Sequence, residues 1–361
     1  MSTHMKGFLV TGPGVGSVTS AAIPIPGPGQ CLVKVEYAGI CGGDPDIFKH
    51  NNYGATPENP RIYGHEYYGE VVEINNPQNL PCRVSVGDKV VGPQDAPCGI
   101  CDQCIAGRPS ICSGMFGARR RPGGAFAEYL ERDLERVFPL APGVDPIVAT
   151  VCEPLAVAVF DVRYTGVGLG DSVLIIGAGA VGILIGLVAR LNGVSNIIFA
   201  ELSDSRIALL HDMGFKTCHS IRDDVSAYVG EQTGGCGADY VFETSGSQPG
   251  WDMSLRAVAY GGKVIPVGLQ YVERKVDFGI IFDKELDVIS VNMHQTGDFS
   301  EAVHLINRGD LNDDIKRIVT SLWPLDKTIE ALEASLDKEG SDIKILLVPG
   351  LSEKVDLTRT S

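Results

Sequence analysis

The stretch that decides the fold runs from Ser172 to Leu191, SVLIIGAGAVGILIGLVARL. It opens as a short apolar run of strand length, turns through Gly177, Gly179 and Gly182 in the pattern G-x-G-x-x-G, and continues as an apolar helical segment. Glycines at these places allow a tight turn and a close approach of backbone to a pyrophosphate. The N-terminus of the following helix would hold that group through its unpaired N–H groups and its dipole. The motif alone is weak, and the next strand strengthens it. NIIFAE ends on Glu201, where a carboxylate can accept both ribose hydroxyls of NAD and would repel a 2′-phosphate. NAD is therefore expected over NADP, although Glu201 also reads as a solvated strand end. Arg206, one turn later, would sit near either the adenine or a phosphate.

Beyond this stretch, DYVFETSG, GGKVIPVGL and LDVISV alternate with helical stretches, which predicts a parallel, doubly wound sheet over residues 159–296. Residues 1–158 read differently. Short valine runs with glycines and prolines (CLVKVEYAG, YGEVVEI, VSVGDKVVG) predict an antiparallel, barrel-like β domain. Amphipathic segments (DFSEAVHLINRGD, PLDKTIEALEASL) and a strand, IKILLVPG, make residues 297–350 a return to that first domain, and the polar tail 351–361 is expected to be disordered. The fold class is α/β, a β-barrel domain joined to a doubly wound parallel sheet.

A length of 361 residues with 44% apolar and 21% charged residues suits a soluble protein of two domains. A formal charge of −15 argues against nucleic acid or an anionic membrane surface as a partner. The longest uncharged run, Ser172 to Ala189, is interrupted by glycines and falls short of a bilayer span. MSTHM lacks the basic and apolar regions of an export signal, and its second methionine would serve as a start behind a short expression scar. The expected compartment is the cytoplasm, where ten cysteines stay reduced and a tight cluster points to metal rather than disulfides.

That cluster is CGICDQCIAGRPSIC, within a lobe over residues 93–115. Cys98, Cys101, Cys104 and Cys112 follow C-x2-C-x2-C-x7-C, a spacing that lets a short loop wrap four thiolates around one zinc ion. Such a closed site leaves no place for substrate and contributes to folding instead. Four free thiols are the plain alternative. An iron–sulfur cluster is another, but the comparable ferredoxin run continues into proline where this chain has Ser113.

Three scattered pieces remain: AGICGGD with Cys41, YGHEYYGEV with His65 and Glu66, and CEPLAV with Glu153. A thiolate, an imidazole and a carboxylate leave a fourth position for water or alcohol, as a catalytic zinc requires. Singly each has a bland reading, Cys41 as a buried thiol among them. Taken in order with the cysteine lobe and the dinucleotide turn, they resemble the zinc-dependent medium-chain dehydrogenase/reductase (MDR) family over nearly the whole chain. Glu153 resembles the polyol (sorbitol-type) and threonine dehydrogenases, where this position is a glutamate, rather than the alcohol dehydrogenases, which use cysteine. Cys152 is adjacent, but the EPL register favours Glu153.

The resemblance implies a GroES-like barrel, NAD, and a catalytic and a structural zinc in each chain. Cys41, His65 and Glu153 would be ligands of the catalytic zinc, with Glu66 near enough to bond a bound water or replace a ligand. Asp44 would accept from the free ring nitrogen of His65, fixing its tautomer; an ordinary helix-capping role is the alternative. Val181, Glu201, Arg206, Val267, Gly268, Leu269, Val291, Asn292 and Met293 would line the NAD site. The implied reaction is hydride transfer between a secondary alcohol, polyols or sugars first, and its ketone, in a dimer or tetramer. A cyclic or apolar secondary alcohol and a phosphorylated polyol stay open. So does a non-enzymatic NAD-binding protein, which should have lost the ligands kept here.

Some positions depart from the family. Gly43 stands where a Ser or Thr usually passes the alcohol proton onward, and Asp46 stands where a His is common. Arg119, Arg120 and Arg121 resemble a paired-arginine stretch of galactitol-phosphate dehydrogenases and would hold a phosphate or carboxylate, unless they form a solvated loop. His294 is a candidate substrate contact or a structural histidine.

Overall fold

A computed structural model describes residues 3–79, 81–93, 97–114, 123–268, 272–337 and 340–358. The chain divides into two compact units. The first comprises Met1–Ala156, Gln295–Asp337 and Lys344–Ser361, and the second Val157–His294 with Lys338–Ile343.

In the first unit the hub is the strand Gln30–Gly39. It pairs antiparallel with Glu66–Asn75, Tyr129–Asp133 and Lys344–Val348. Alternating valines aim one face inward, so Val33, Val35 and Val71 are buried with Phe8, Tyr67, Phe126 and Leu130 in one apolar cluster. A smaller sheet places His4–Gly12 between Val15–Ala22 and Arg61–Ile62. The larger sheet is mixed rather than purely antiparallel, because Val319–Pro324 runs parallel to Lys344–Val348.

The expected disorder after Leu351 is corrected over the described residues. Val355–Asp356 pairs antiparallel with Ser321 and Leu322, and Leu357 N donates to Thr320 O at 2.8 Å. Strand pairing at a sheet edge satisfies backbone groups whatever the side chains, so a polar composition did not reveal it.

The second unit is a six-stranded parallel sheet in the spatial order Lys216–His219, Asn196–Glu201, Ser172–Ile176, Ala238–Glu243, Val258–Pro266, Asp287–Val288. Counted along the chain within the unit, this is 3-2-1-4-5-6, the doubly wound order. Ser172–Ile176 is buried at every position because helices cover both faces of a parallel sheet, so its sequence shows an apolar run instead of alternation. The order reverses beside this strand. There the ends of Ser172–Ile176 and Ala238–Glu243 form the crevice in which such sheets take their ligands. Among the described residues no helix is long and apolar enough to cross a membrane.

Candidate active site and cofactor site

The four clustered cysteines come together. Their sulfur atoms lie within 4.8 Å of one another, and none is in a disulfide. Sulfurs placed ~2.3 Å from one zinc would be about 3.8 Å apart along a tetrahedral edge, and Cys101 Sγ lies 3.8 Å from Cys112 Sγ. Backbone N–H groups of Cys98 and Gly114 each approach Cys112 Sγ at 3.3 Å. Hydrogen bonds from backbone at Cys104 and Ser113 pull the Cys101 thiol down to about 5, which favours the thiolate a metal needs, while burial pushes Cys104 up to about 12. The donor set fits structural zinc.

A second group brings together Cys41, His65 and Glu66, again within 4.8 Å. Cys41 ends the turn before the helix Asp44–His50, and Glu66 begins the strand Glu66–Asn75 directly after His65. Glu66 faces Gly39 across the pairing, and a Cβ at residue 39 would lie 2.0 Å from Glu66 Oε2, so only glycine leaves room for that carboxylate. Glu153, in the first turn of the helix Cys152–Thr165, lies outside this 4.8 Å group. It is near enough for its charge to raise the pKa values of both His65 and Lys344.

Asp44 is buried and divides its carboxylate. One oxygen accepts from Cys41 N at 2.9 Å, and the other stands 3.5 Å from His65 Nδ1. Gly43 occupies the helix cap with no side-chain bond, so Asp44 faces the histidine instead of capping its own helix. Turning Nδ1 toward Asp44 leaves Nε2 as the donor for a metal. Burial disfavours a charged His65, but Asp44, Cys41 and Glu153 outweigh it and hold its pKa well above the usual value. This corner of the unit favours positive charge, as a cation site should. Asp44→Asn is expected to weaken zinc at this site and lower kcat/KM by about 10–100-fold. Competition with a chromophoric chelator checks the first effect and steady-state rates the second; unchanged zinc affinity would remove Asp44 from the account.

Lys344 escaped the sequence reading. It is 2% exposed, its Nζ donates to Ile40 O at 2.9 Å, and it forms an ion pair with Glu66. Burial opposes its charge, while Glu66, Cys41 and Glu153 support it. A lysine opening the strand KILLV looks like a solvated end, and only its burial beside Glu66, Cys41 and Glu153 marks it.

In the second unit Gly177 has φ +100°, and a Cβ at residue 182 would lie 2.3 Å from Gly177 O, so the turn needs both glycines. Gly179 and Val181 flank the start of the helix Ala180–Leu191, with Gly179 as its cap. Glu201 is buried and folds back on this turn. Its Oε2 accepts from Ala178 N at 2.5 Å, and its Oε1 from Leu202 N and Ser203 N at 2.7 and 2.9 Å. It is therefore no solvated strand end. Arg206 is buried and donates to Asp342 O at 2.8 Å. Val267 N and Gly268 N both donate to Glu243 O, at 2.9 and 2.8 Å.

Val291 and Met293 are half-buried and Asn292 is exposed; Met293 has a left-handed backbone with φ 57°. His294 is 2% exposed. Leu269 and Arg119–Arg121 lie outside the described residues.

Comparison with known proteins agrees with this geometry. Residues 27–142 match the alcohol dehydrogenase GroES-like domain, and residues 180–308 match the zinc-binding dehydrogenase family. The chain is 30% identical to sorbitol dehydrogenase from Halalkalibacterium halodurans over 96% of this chain and 99% of that one. It is also 30% identical to D-arabitol-phosphate dehydrogenase from Enterococcus avium, over 96% of this chain and 98% of the relative. A zinc-binding dehydrogenase from Sinorhizobium meliloti, solved with NADP bound, superposes with a TM-score of 0.86 at 29% identity, covering 96% of this chain and all of that one. The chain belongs to the zinc-binding dehydrogenases, a family of zinc- and nicotinamide-dependent oxidoreductases with a GroES-like domain.

Proposed function

We propose that this protein interconverts a secondary alcohol and its ketone with NAD, with polyols or sugars as the first substrate class. Cys41 and His65 hold the catalytic zinc together with a carboxylate from Glu66 or Glu153, and Cys98, Cys101, Cys104 and Cys112 hold a structural one. The observation that carries this reading is the gathering of Cys41, His65 and Glu66 from separate segments into one 4.8 Å group backed by Asp44. A protein that had given up turnover would have no reason to keep it.

When bound at this group, zinc supplies Lewis-acid polarisation of the alcohol oxygen. Asp44 keeps His65 turned so that Nε2 is the donor, and Lys344 holds Glu66 by an ion pair. In the second unit the glycine turn and the N-terminus of Ala180–Leu191 bind the pyrophosphate. Glu201, already seated by three backbone N–H groups, receives the adenosine ribose and disfavours a 2′-phosphate. The glycine-turn contacts serve NAD and NADP alike, and Glu201 makes the difference. Val181, Val267, Gly268, Leu269, Val291, Asn292 and Met293 complete the cofactor site in this reading.

The alcohol proton has no hydroxyl at residue 43 to receive it, so a water takes that place. Gly43 has φ −89° and caps the helix without a side-chain bond. Serine fits this backbone without a positive φ to strain it. Gly43→Ser is therefore expected to keep or raise turnover; a collapse of kcat with zinc and NAD still bound would give that space to substrate.

The reading extends to a cytoplasmic dimer or tetramer, supported by the family resemblance. Light scattering tests the assembly. The deciding experiment offers polyols, sugars, polyol phosphates, cyclic alcohols and amino-acid alcohols with NAD and NADP, and follows reduced nicotinamide by absorbance. A polyol or sugar oxidised preferentially with NAD supports the proposal. Preference for polyol phosphates, as in the name of the Enterococcus avium relative, would move the substrate class, and turnover of none would overturn the assignment.

A further inference from the structure

The end of the strand Ala238–Glu243 carries an arrangement that no step above uses. Glu243 is 0% exposed, and its carboxylate gathers the loop that follows it. Oε1 accepts from Ser245 N at 2.9 Å, from Ser245 Oγ, and from Gly246 N at 3.1 Å, while Oε2 accepts from the same Gly246 N at 3.1 Å. The backbone oxygen of Glu243 takes Val267 N and Gly268 N from the neighbouring strand end. Packing there is close, since a Cβ at residue 268 would lie 2.3 Å from Gly246 N. Thr244 ties the same loop to the other side. Its Oγ1 donates to Ile176 O at 2.8 Å and lies 3.0 Å from Gly177 O, and a Cβ at residue 182 would come within 2.9 Å of it.

One carboxylate and one hydroxyl thus join three strand ends: the glycine turn, residues 244–247 and residues 267–268. Topology says which part of a dinucleotide meets them. Glu201 ends the strand on one side of Ser172–Ile176, and Glu243 ends the strand on the other. A dinucleotide lying across the reversal point, with its pyrophosphate on the glycine turn and its adenosine toward Glu201, must carry its nicotinamide half over residues 244–247 and 267–268.

We infer that Glu243 and Thr244 are positioning residues for the nicotinamide half of the cofactor, holding the loop it rests on in register with the glycine turn. This inference rests on the reading of the second unit as a dinucleotide site. Neither side chain needs to touch the cofactor. Their effect passes through the backbone of residues 244–247 and, for Thr244, through its bond to the glycine turn, so it should be felt more by the nicotinamide half than by the adenosine diphosphate half.

The test compares NADH, followed by its fluorescence, with ADP, followed by calorimetry, on the full chain. Thr244→Val keeps the shape and removes the hydroxyl. It is expected to weaken NADH by about tenfold, the worth of roughly one hydrogen bond, and ADP, whose phosphates rest on the glycine turn, by clearly less. Thr244→Ser should restore NADH affinity. Glu243→Gln should act in the same direction and lower kcat at saturating NAD, because an amide nitrogen would then face the N–H donors of Ser245 or Gly246. If that variant does not fold, the threonine pair decides alone. Equal weakening of NADH and ADP would mean a general packing role, and no change in either would mean none; both overturn the inference. Failure of the unaltered protein to bind ADP or NADH would instead sink the dinucleotide reading itself.

Discussion

Cys41→Ser is expected to abolish measurable alcohol oxidation, with kcat/KM falling by ~1000-fold or more, because several kcal/mol of charge stabilisation at the alcohol oxygen leaves with the metal. Serine has nearly the size of cysteine but stays protonated near neutral pH, so it replaces a soft anionic donor by a weak neutral one. The rest of the corner would be left with Asp44, Glu66 and Glu153 facing only His65 and Lys344. One zinc per chain should then be lost and the one at Cys98–Cys112 kept, since the two groups share no residue. NADH affinity should stay within about twofold, because no residue of the dinucleotide turn is altered. Full activity in a variant that has lost this zinc would remove the metal from the chemistry.

The second large effect is structural. Replacing Cys104 by serine, or extracting zinc with a strong chelator, is expected to unravel the segment 97–114. Besides its cysteines this segment has turn hydrogen bonds and one side-chain tie, Gln295 Nε2 donating to Ser110 Oγ at 2.7 Å, but little apolar packing. Ile100 and Ile105 are 75% and 74% exposed, its helix Asp102–Ile105 has four residues, and of its side chains only Ser110 and Cys112 are buried. Without an apolar core the order of such a lobe comes from the metal, whose binding free energy in small zinc modules is about 10–16 kcal/mol. Limited proteolysis should therefore cut the zinc-depleted protein within 97–114 and spare the replete one. Equal resistance in both forms would mean that the lobe is held by packing and that the cysteine cluster is dispensable.

Much of the fold and of both metal groups is legible in the sequence. G-x-G-x-x-G follows a strand of the right length, and Glu201 closes the next strand, so the doubly wound unit could be read from local patterns alone. The spacing of Cys98, Cys101, Cys104 and Cys112 is a local property too, set by how tightly a loop can wrap one ion. Cys41 and His65 were found by chemical type and the family's order, because their meeting depends on the pairing of Gly39 with Glu66 across two strands.

What escaped was long-range or backbone-mediated. Lys344 is distant in sequence from Cys41 and Glu66, which it neighbours, and the pairing of Leu346 and Leu347 with Gly39 and Ala38 brings it there. Glu66 joined the tight group while Glu153 stood outside it, a distinction of side-chain placement that residue type does not carry. Glu201 serves three backbone N–H groups, and the acid that holds residues 244–247, Glu243, sits in a strand whose apolar pattern hides it. The pairing of Val355–Asp356 was invisible for a related reason, since backbone hydrogen bonds leave little trace in composition.

Turnover as proposed needs a zinc ion on Cys41, His65 and a neighbouring carboxylate in addition to the one in the cysteine lobe. X-ray absorption at the zinc edge, combined with a zinc count per chain on the unaltered protein, tests it most directly. Two zinc ions per chain are expected, one surrounded by sulfur alone and one by a single sulfur with nitrogen and oxygen. A single zinc ion in an all-sulfur environment would contradict it.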